Sequence, residues 1–299
     1  MLDLRDIPVF IQTAESGSFS AAAIRLNLTR SAVAKTIARM ERRLGVRLFH
    51  RTTRSQSLTE EGILFHERCL RALEEIRAGE AMLESGRTEI RGRLRIALPV
   101  VLGRTCIAPI LTRLLAEHRG LELDLSFSDR LVDFLEDGFD LAVRNGVLRD
   151  DSDVMSRLIA RQRMTVCAAP AYLDAHGEPQ TLEDIDRHET IVYTRKGVKR
   201  SWLFPTPDMP GRSLVPRARL QLDDLNAIAD AACAGYGLAW MPCWLVRDLI
   251  AEGRLRQVLP STQGFAFPSH VIWPKSPIML PKTRLVIDRL AAELPLAMG

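Results

Sequence analysis

The chain has 299 residues, nearly half of them apolar, and a net charge of +4 at pH 7. That length exceeds one small domain and falls short of three, and the apolar share supplies cores for two folded units while excluding a disordered chain. The charge is unevenly placed: residues 1–60 hold ten basic and five acidic side chains, a surplus of +5 against −1 for the other 239, as a polyanion-binding module at one end requires.

The opening Met1-Leu2-Asp3-Leu4-Arg5-Asp6 lacks a basic stretch followed by an apolar run, so no export signal is expected there. Only Pro8 precedes Pro99, which predicts a largely helical first ninety residues and a later part of short elements and turns. The first helix is predicted over residues 4–16, with Leu4, Ile7, Phe10, Ile11 and Ala14 on one face, and Gly17 stops it. Ser18 caps a second helix through Ala21, Ala22, Ala23 and Leu26, and Asn27-Leu28-Thr29 reads as a short turn around one buried leucine. Thr29 or Arg30 opens a third helix with Val33, Ile37, Met40 and Leu44 facing inward, ended by Gly45. Two short strands around the basic tip Arg51-Thr52-Thr53-Arg54-Ser55-Gln56 follow as a wing.

Thr59 caps the next helix, with Glu60 and Glu61 in the first turn where the helix dipole favours anions. It is predicted to run to about Gly86, with Cys69, Leu73, Ile76 and Leu83 forming an incomplete coiled-coil seam interrupted by His66 and Glu80. A helix of roughly 27 residues is ~40 Å long and calls for a partner, the alternative being a core helix of its own domain. From Arg91 strands alternate with helices: strands at 94–98, 121–127, 140–143, 165–169, 220–222, 238–241, 255–259 and 270–273, helices at 104–118, 131–136, from Pro170, from Asp223 or Asp224 to Ala234, and at 282–294. That order predicts βαβ units and mostly parallel sheets. The uncharged run 231–246 contains Gly235, Gly237 and Pro242 and is shorter than the ~20 residues of a membrane helix, so it reads as helix, turn and strand.

The second and third helices have the spacing of a helix-turn-helix, with the small Ala22 and Ala23 permitting close approach. In that motif the second helix enters the major groove and its N-terminal side chains reach base edges. Its outer face carries Thr29, Arg30, Ser31, Lys35 and Arg39. Arg30 suits a bidentate bond to guanine, Ser31 and Lys35 suit bases or phosphates, and Arg51, Thr52, Thr53 and Arg54 on the wing suit the backbone. Ser18 and Ser20 complete the DNA-facing set. The competing reading is a three-helix bundle with a solvated basic face.

Residues 2–66 resemble the N-terminal module of the LysR-type transcriptional regulators. The resemblance rests on Phe10, Glu15-Ser16-Gly17-Ser18-Phe19-Ser20-Ala21-Ala22, Ser31-Ala32-Val33, Arg39-Met40-Glu41, Leu44-Gly45-Val46-Arg47-Leu48-Phe49, Arg51-Thr52-Thr53-Arg54 and Leu58-Thr59-Glu60-Glu61-Gly62. Arg30 and Ala34 depart from it, where the family usually has glutamine and serine. Asp140-Leu141-Ala142-Val143-Arg144, Ala168-Ala169-Pro170-Ala171-Tyr172-Leu173 and Gly235-Tyr236-Gly237-Leu238-Ala239 extend it along the chain, within the branch of aromatic-acid, organic-acid and stress-gene regulators.

The resemblance implies a winged helix-turn-helix domain (1–58), a linker and dimerisation helix (59–90) and a two-lobed α/β domain like periplasmic binding proteins (91–299). Lobe 1 would span 91–162 and 268–299 and lobe 2 residues 163–267, with crossing strands near 160–164 and 264–269. It also implies a small organic effector, a carboxylate or an aromatic, in the cleft between lobes. By position the lining set is Pro99, Val100, Val101, Ser128, Arg144, Thr194, Trp202 and Asp223. Arg144 suits a carboxylate held in bidentate fashion, or alternatively a structural salt bridge. Val100 and Val101 make the pocket floor apolar, and Trp240 reads as core. The implied partners are double-stranded DNA, the effector, further copies of the chain in a homotetramer, and RNA polymerase.

No G-x-S-x-G, P-loop, G-x-G-x-x-G or H-E-x-x-H occurs, and the six histidines are isolated, so neither an enzyme nor a metal or cofactor is expected. The five cysteines form no C-x-x-C pair, which suits reduced thiols in the cytoplasm. A thiol sensor built on Cys233 and Cys243 competes with buried structural sulfur, which their apolar context favours.

Overall fold

The computed structural model describes residues 3–51, 56–84, 90–130, 134–148, 152–195, 197–204, 212–259, 266–276 and 278–299. It divides into two compact units, Met1–Glu89 and Ile90–Gly299.

In the first unit a 3-10 turn (Leu4–Asp6) leads into α1 (Ile7–Ser16), where Pro8 sits in the first turn and its missing N–H costs nothing. Gly17 ends α1 at φ 63°, a left-handed conformation that favours glycine. Ser18 caps α2 (Phe19–Arg25) by accepting from Ala21 N at 3.1 Å. Thr29 caps α3 (Arg30–Leu44) by accepting from Ala32 N at 3.2 Å, and the helix stops at Gly45. β1 (Phe49–Arg51) and β2 (Gln56–Leu58) pair antiparallel as the wing. Thr59 then accepts from Gly62 N at 2.9 Å and opens α4 (Glu60–Glu84).

Phe10, Ile37, Met40, Leu48, Phe49 and Cys69 form the core of this unit, with the Phe10 and Phe49 rings edge to face at 5.7 Å. Ala22, Ala23 and Val33 form a second cluster that seats α2 against α3. Three expected core positions are exposed instead. Leu4 lies outside because a 3-10 turn advances more per residue than an α-helix and carries it off the buried stripe. Leu28 follows Asn27, whose φ of 53° swings the chain outward. Leu44 occupies the last turn of α3, next to the Gly45 stop, and is exposed there. Along α4, Cys69 is buried and Leu73 half-buried on the unit's own core, while Ile76 is exposed. Leu83 and Gly86 lie outside the side chains described.

The second unit begins with β3 (Arg91–Leu98), then α5 (Val100–Leu102), a π turn (Gly103–Ile107) and α6 (Ala108–Glu117). The helix therefore starts four residues before the expected Arg104. Gly103 permits this, since a Cβ there would stand 2.6 Å from the Leu98 Cβ. Next come β4 (Gly120–Phe127), α7 (Phe134–Asp137), β5 (Leu141–Asn145) and the long β6 (Val154–Ala168). The chain continues through α8 (Pro170–His176), β7 (Thr190–Arg195), β8 (Val198–Lys199), β9 (Trp202–Phe204), β10 (Arg212–Leu214) and β11 (Leu220–Leu222). It ends with α9 (Leu225–Cys233), β12 (Leu238–Pro242), α10 (Cys243–Ala251), β13 (Arg256–Val258), β14 (Ala266–Pro274) and α11 (Pro281–Met298).

Among the described residues the main sheet runs β11-β7-β12-β6-β14-β5-β3-β4, with β13 also on β6 and β8 on β7. The expectation of mostly parallel sheets needs correction: β3 is parallel to β4 and β5, and β7 to β11 and β12, but β6 and β14 run antiparallel to their neighbours. The reason lies in β6, which pairs with β14 up to Arg163 and with β12 from Met164 onward, so one strand belongs to both halves of the sheet. Strands β7 to β10 fall in a stretch whose periodicity carries no assignment. One core packs α6 and α11 on β3 and β5, with Leu94, Ile107, Leu111, Leu141, Val286 and Leu290 at its centre. The other half holds two, one around Tyr172, Trp202, Phe204 and Leu238, the other around Ile191, Ile228, Ala239 and Met241.

Candidate nucleic-acid interface and sheet-end cleft

Helix α3 is amphipathic by construction. Val33, Ile37 and Met40 are buried, whereas Arg30, Ser31 and Lys35 are exposed on the other side. Thr29 spends its hydroxyl on the cap and lies 3.1 Å from the Ser31 hydroxyl, which orients the first turn. Ser18 is likewise engaged as the α2 cap, and Ser20 is exposed. Arg39 is held differently from its neighbours. Its Nε donates to the Asp6 carboxylate at 3.1 Å and its Nη2 to the other oxygen, and Asp6 is buried. The Asp6 hydrogen bond holds this guanidinium above its ordinary pKa, and the pair ties α3 to the turn before α1. Thr52, Thr53, Arg54 and the side chain of Arg51 lie outside the described residues.

Sequence reasoning gave no role to Glu41. Its carboxylate, in a buried residue of α3, accepts from Leu48 N at 2.9 Å and Phe49 N at 3.3 Å, fastening the wing's first strand to that helix. A glutamate amid five basic residues on one helix was the signal available. Gly62 matters for a related reason: a Cβ there would stand 2.1 Å from Leu48 O.

In the second unit the C-terminal ends of β3, β4 and β5 gather Pro99, Val100, Ser128 and Arg144. Val100 N donates to the Asp129 carboxylate at 3.3 Å, and Ser128 N to Leu98 O at 2.8 Å. Arg144 is 8% exposed and donates to two carbonyls, Val143 O at 3.1 Å and Arg130 O at 2.8 Å. No ion pair to Arg144 occurs among the described residues, so the salt-bridge alternative fails there. Burial, then the neighbouring Arg195, pull its pKa down, while Asp129 and Asp137 push it up. From the other half of the sheet, Thr194 lies one residue before the end of β7 and Asp223 follows β11, and both reach solvent. Arg195 donates to Asp129 O and so bridges the two halves. Tyr193 is raised above its usual pKa by burial, with Asp129 and Asp223 adding to that rise and Arg195 opposing it.

Two of the expected lining residues sit elsewhere. Val101 is 3% exposed in the core under β3, and Trp202 is 2% exposed in the core beside Tyr172. Each sits at a position of an element that points inward, which linear spacing does not reveal. Trp240, expected as core, is half-buried, with its ring on Phe267 at 5.5 Å and Phe204 at 6.4 Å. Asp129, Tyr193 and Arg195 adjoin the expected lining residues Ser128 and Thr194, and no local pattern in the sequence marks them.

Cys69, Cys106 and Cys167 are buried, whereas Cys233 and Cys243 are only half-buried, contrary to their expected burial. Burial still pushes all five thiols up, Cys69 and Cys106 to about 11 and Cys167 to about 12, the opposite of what a reactive thiolate requires. Among the described residues no cluster of His, Cys, Asp and Glu is placed to hold a metal, and no helix is long and apolar enough to cross a membrane.

The comparisons with known proteins match both units. Residues 4–63 fit the bacterial regulatory helix-turn-helix model of the lysR family, and residues 87–295 fit the LysR substrate binding domain. CrgA, an HTH-type transcriptional regulator of Neisseria meningitidis serogroup C, is 32% identical over 292 residues, 97% of this chain and 96% of that protein. The uncharacterized HTH-type transcriptional regulator YhjC of Escherichia coli K12 is 32% identical over 287 residues, 96% of each. The structure of CrgA, a LysR-type transcriptional regulator from Neisseria meningitidis, superposes with a TM-score of 0.57 at 29% identity, over 98% of this chain and 97% of the other. A helix-turn-helix with an exposed basic face, a mixed α/β unit behind it and family models covering both place the chain in the LysR family of transcriptional regulators, with a DNA-binding and an effector-binding domain and no enzymatic role.

Proposed function

We propose that α3 reads bases through Arg30, Ser31 and Lys35, while Ser20 and the wing residues Arg51, Thr52, Thr53 and Arg54 grip phosphates. Thr29 and Ser18 hold the two helix starts in register, and Arg39 positions α3 instead of touching DNA. The observation that carries this reading is the division of α3 into a buried apolar side and an exposed cationic one. Phosphate contacts make affinity fall steeply with salt, and base contacts make it depend on sequence.

In this reading residues 1–58 bind DNA, 59–90 pair two chains, and 91–299 sense an effector between lobe 1 (91–162 and 268–299) and lobe 2 (163–267). The exposed Ile63, Leu64 and Ile76 on α4 favour such pairing. Two recognition helices then meet a palindromic site, and effector-domain contacts join dimers into a tetramer in the cytoplasm. The effector is a small organic molecule gripped at the strand ends by Arg144, whose buried charge has only carbonyl partners among the described residues. Closing the cleft shifts one dimer against the other and changes access for RNA polymerase, which requires different effector affinity in the two arrangements.

Footprinting on the chain's own upstream region, with and without a thermal-shift-selected carboxylate, tests both halves. A salt-sensitive footprint whose length changes with the carboxylate is expected. A footprint of unchanged length would remove the effector half, and no footprint at any salt would remove the DNA half.

A further inference from the structure

The turn after β4, residues 128–130, is held from both halves of the sheet. Inside it Ser128 Oγ accepts from Arg130 N at 3.1 Å, and the Asp129 carboxylate accepts from Val100 N, at the start of α5, at 3.3 Å. Two guanidinium groups take its backbone oxygens. Arg144, near the end of β5, donates from Nη2 to Arg130 O at 2.8 Å, and Arg195, the last residue of β7, donates from Nη2 to Asp129 O. Arginines from opposite halves thus converge on consecutive carbonyls, whose Cα atoms are about 3.8 Å apart.

Neither arginine has its best acceptor. Arg144 is 8% exposed, so little water reaches it, and its other hydrogen bond also ends on a carbonyl, Val143 O at 3.1 Å. Arg195 is half-buried, and Asp129 O is the partner of its side chain among the described residues. Neither makes an ion pair there, and the Arg195 charge works against that of Arg144. A carboxylate brings the opposite charge and two coplanar oxygens that fit guanidinium forks, which a single neutral carbonyl lacks. We propose that Arg144 and Arg195 together hold the carboxylate of the effector, one on each oxygen, and that the carbonyls of Arg130 and Asp129 are their resting partners without it. This assignment rests on the reading of the cleft as an effector site given above, and it adds the anchor from the second half of the sheet. Binding exchanges a contact between the halves that ends on a neutral carbonyl for a bridge through a charged group. It also releases the turn whose Asp129 carboxylate holds the start of α5.

Hydrogen exchange of the full chain, with calorimetric titration of sodium benzoate, sodium acetate and the neutral isostere benzamide, tests the assignment. Without ligand, Arg195→Gln is expected to speed amide exchange at residues 128–130 and to leave α6 unchanged. Benzoate is expected to bind at one site per chain, with benzamide at least about tenfold weaker. Arg195→Gln, at a half-buried position, should weaken benzoate about tenfold, and Arg195→Lys, which keeps the charge without the fork, by less. Arg144→Gln should weaken it at least as much as Arg195→Gln. Benzoate affinity lost in Arg144→Gln but unchanged in Arg195→Gln overturns the pair and leaves the Arg144 site standing. Affinity unchanged in both substitutions removes that site as well, as does failure of both benzoate and acetate to bind at tens of millimolar. Benzamide binding as tightly as benzoate overturns the carboxylate assignment, and unchanged exchange at 128–130 in Arg195→Gln overturns the resting contact.

Discussion

Arg30 and Arg39 are the same residue type on the same helix, yet they do different work. Arg30 is exposed, whereas Arg39 is spent on a buried carboxylate. Arg30→Ala is expected to cost ~1–3 kcal/mol on a cognate site and to relax base preference there; a gel-shift series on matched and mutated sites checks it, and equal losses on random DNA would contradict base readout. Arg39→Gln is expected instead to lower the Tm and leave base preference unchanged, because it strands Asp6 without its partner. Gly62→Ala should destabilise the first unit by about 1–3 kcal/mol, since its Cβ meets the backbone oxygen of Leu48 and neither can yield easily. Urea unfolding of the variant reads that directly. The repeat of buried apolar residues that marks α3 is visible in the sequence, but the Asp6–Arg39 pair joins positions 33 residues apart and has no local trace.

Caps and stops make the helices of the first unit legible as elements: Ser18, Thr29 and Thr59 each accept from a backbone N–H three residues on, and Gly17 and Gly45 take left-handed conformations. The wing depends on something less local. Glu41 satisfies the N–H groups of Leu48 and Phe49, so Glu41→Ala leaves two buried donors unpaired, at about 1–3 kcal/mol each when no water reaches them. Faster amide hydrogen exchange at residues 48–51, with α2 unchanged, is the expected signature. Unchanged exchange at Leu48 and Phe49 would show that Glu41 does not hold the wing. In the second unit β6 was expected to be short, because alternation is visible only over its last residues. Its first half pairs across to β14 with Met155, Ser156, Arg157 and Leu158 exposed, and its apolar and polar side chains do not alternate there.

At the scale of the whole molecule, His66, His188 and His270 share one property: burial lowers the pKa of each, and it is the largest cause in every case. Folded, they bind protons less readily than the unfolded chain, whose histidines titrate near 6.5. Their contribution to stability is therefore complete above about pH 6.5 and is lost as the pH falls from there toward each lowered folded value. The Tm measured from pH 8 down to 5.5 should hold level and then drop, in both units. The carboxylates of Glu117, Glu183, Asp184 and Glu293, all held low by arginine or backbone hydrogen bonds, act in a separate window near and below pH 4.5. A Tm that is flat between pH 7 and 5.5 would mean the histidines are solvated when folded.

The sequence alone determined that a helix-turn-helix is present, which residues cap its helices, which side of α3 is cationic, and that strands and helices alternate later in the chain. These properties rest on neighbours within about four positions, where capping, periodicity and charge clustering operate. Only the tertiary structure decided which arginines are free, that Val101 and Trp202 belong to cores, and that one strand serves both halves of the sheet. It also decided that Asp129 and Arg195 meet across the strand ends. Those outcomes depend on contacts between residues tens to hundreds of positions apart, such as the pair Arg195 and Asp129, and a linear pattern carries no record of which distant surfaces close on one another.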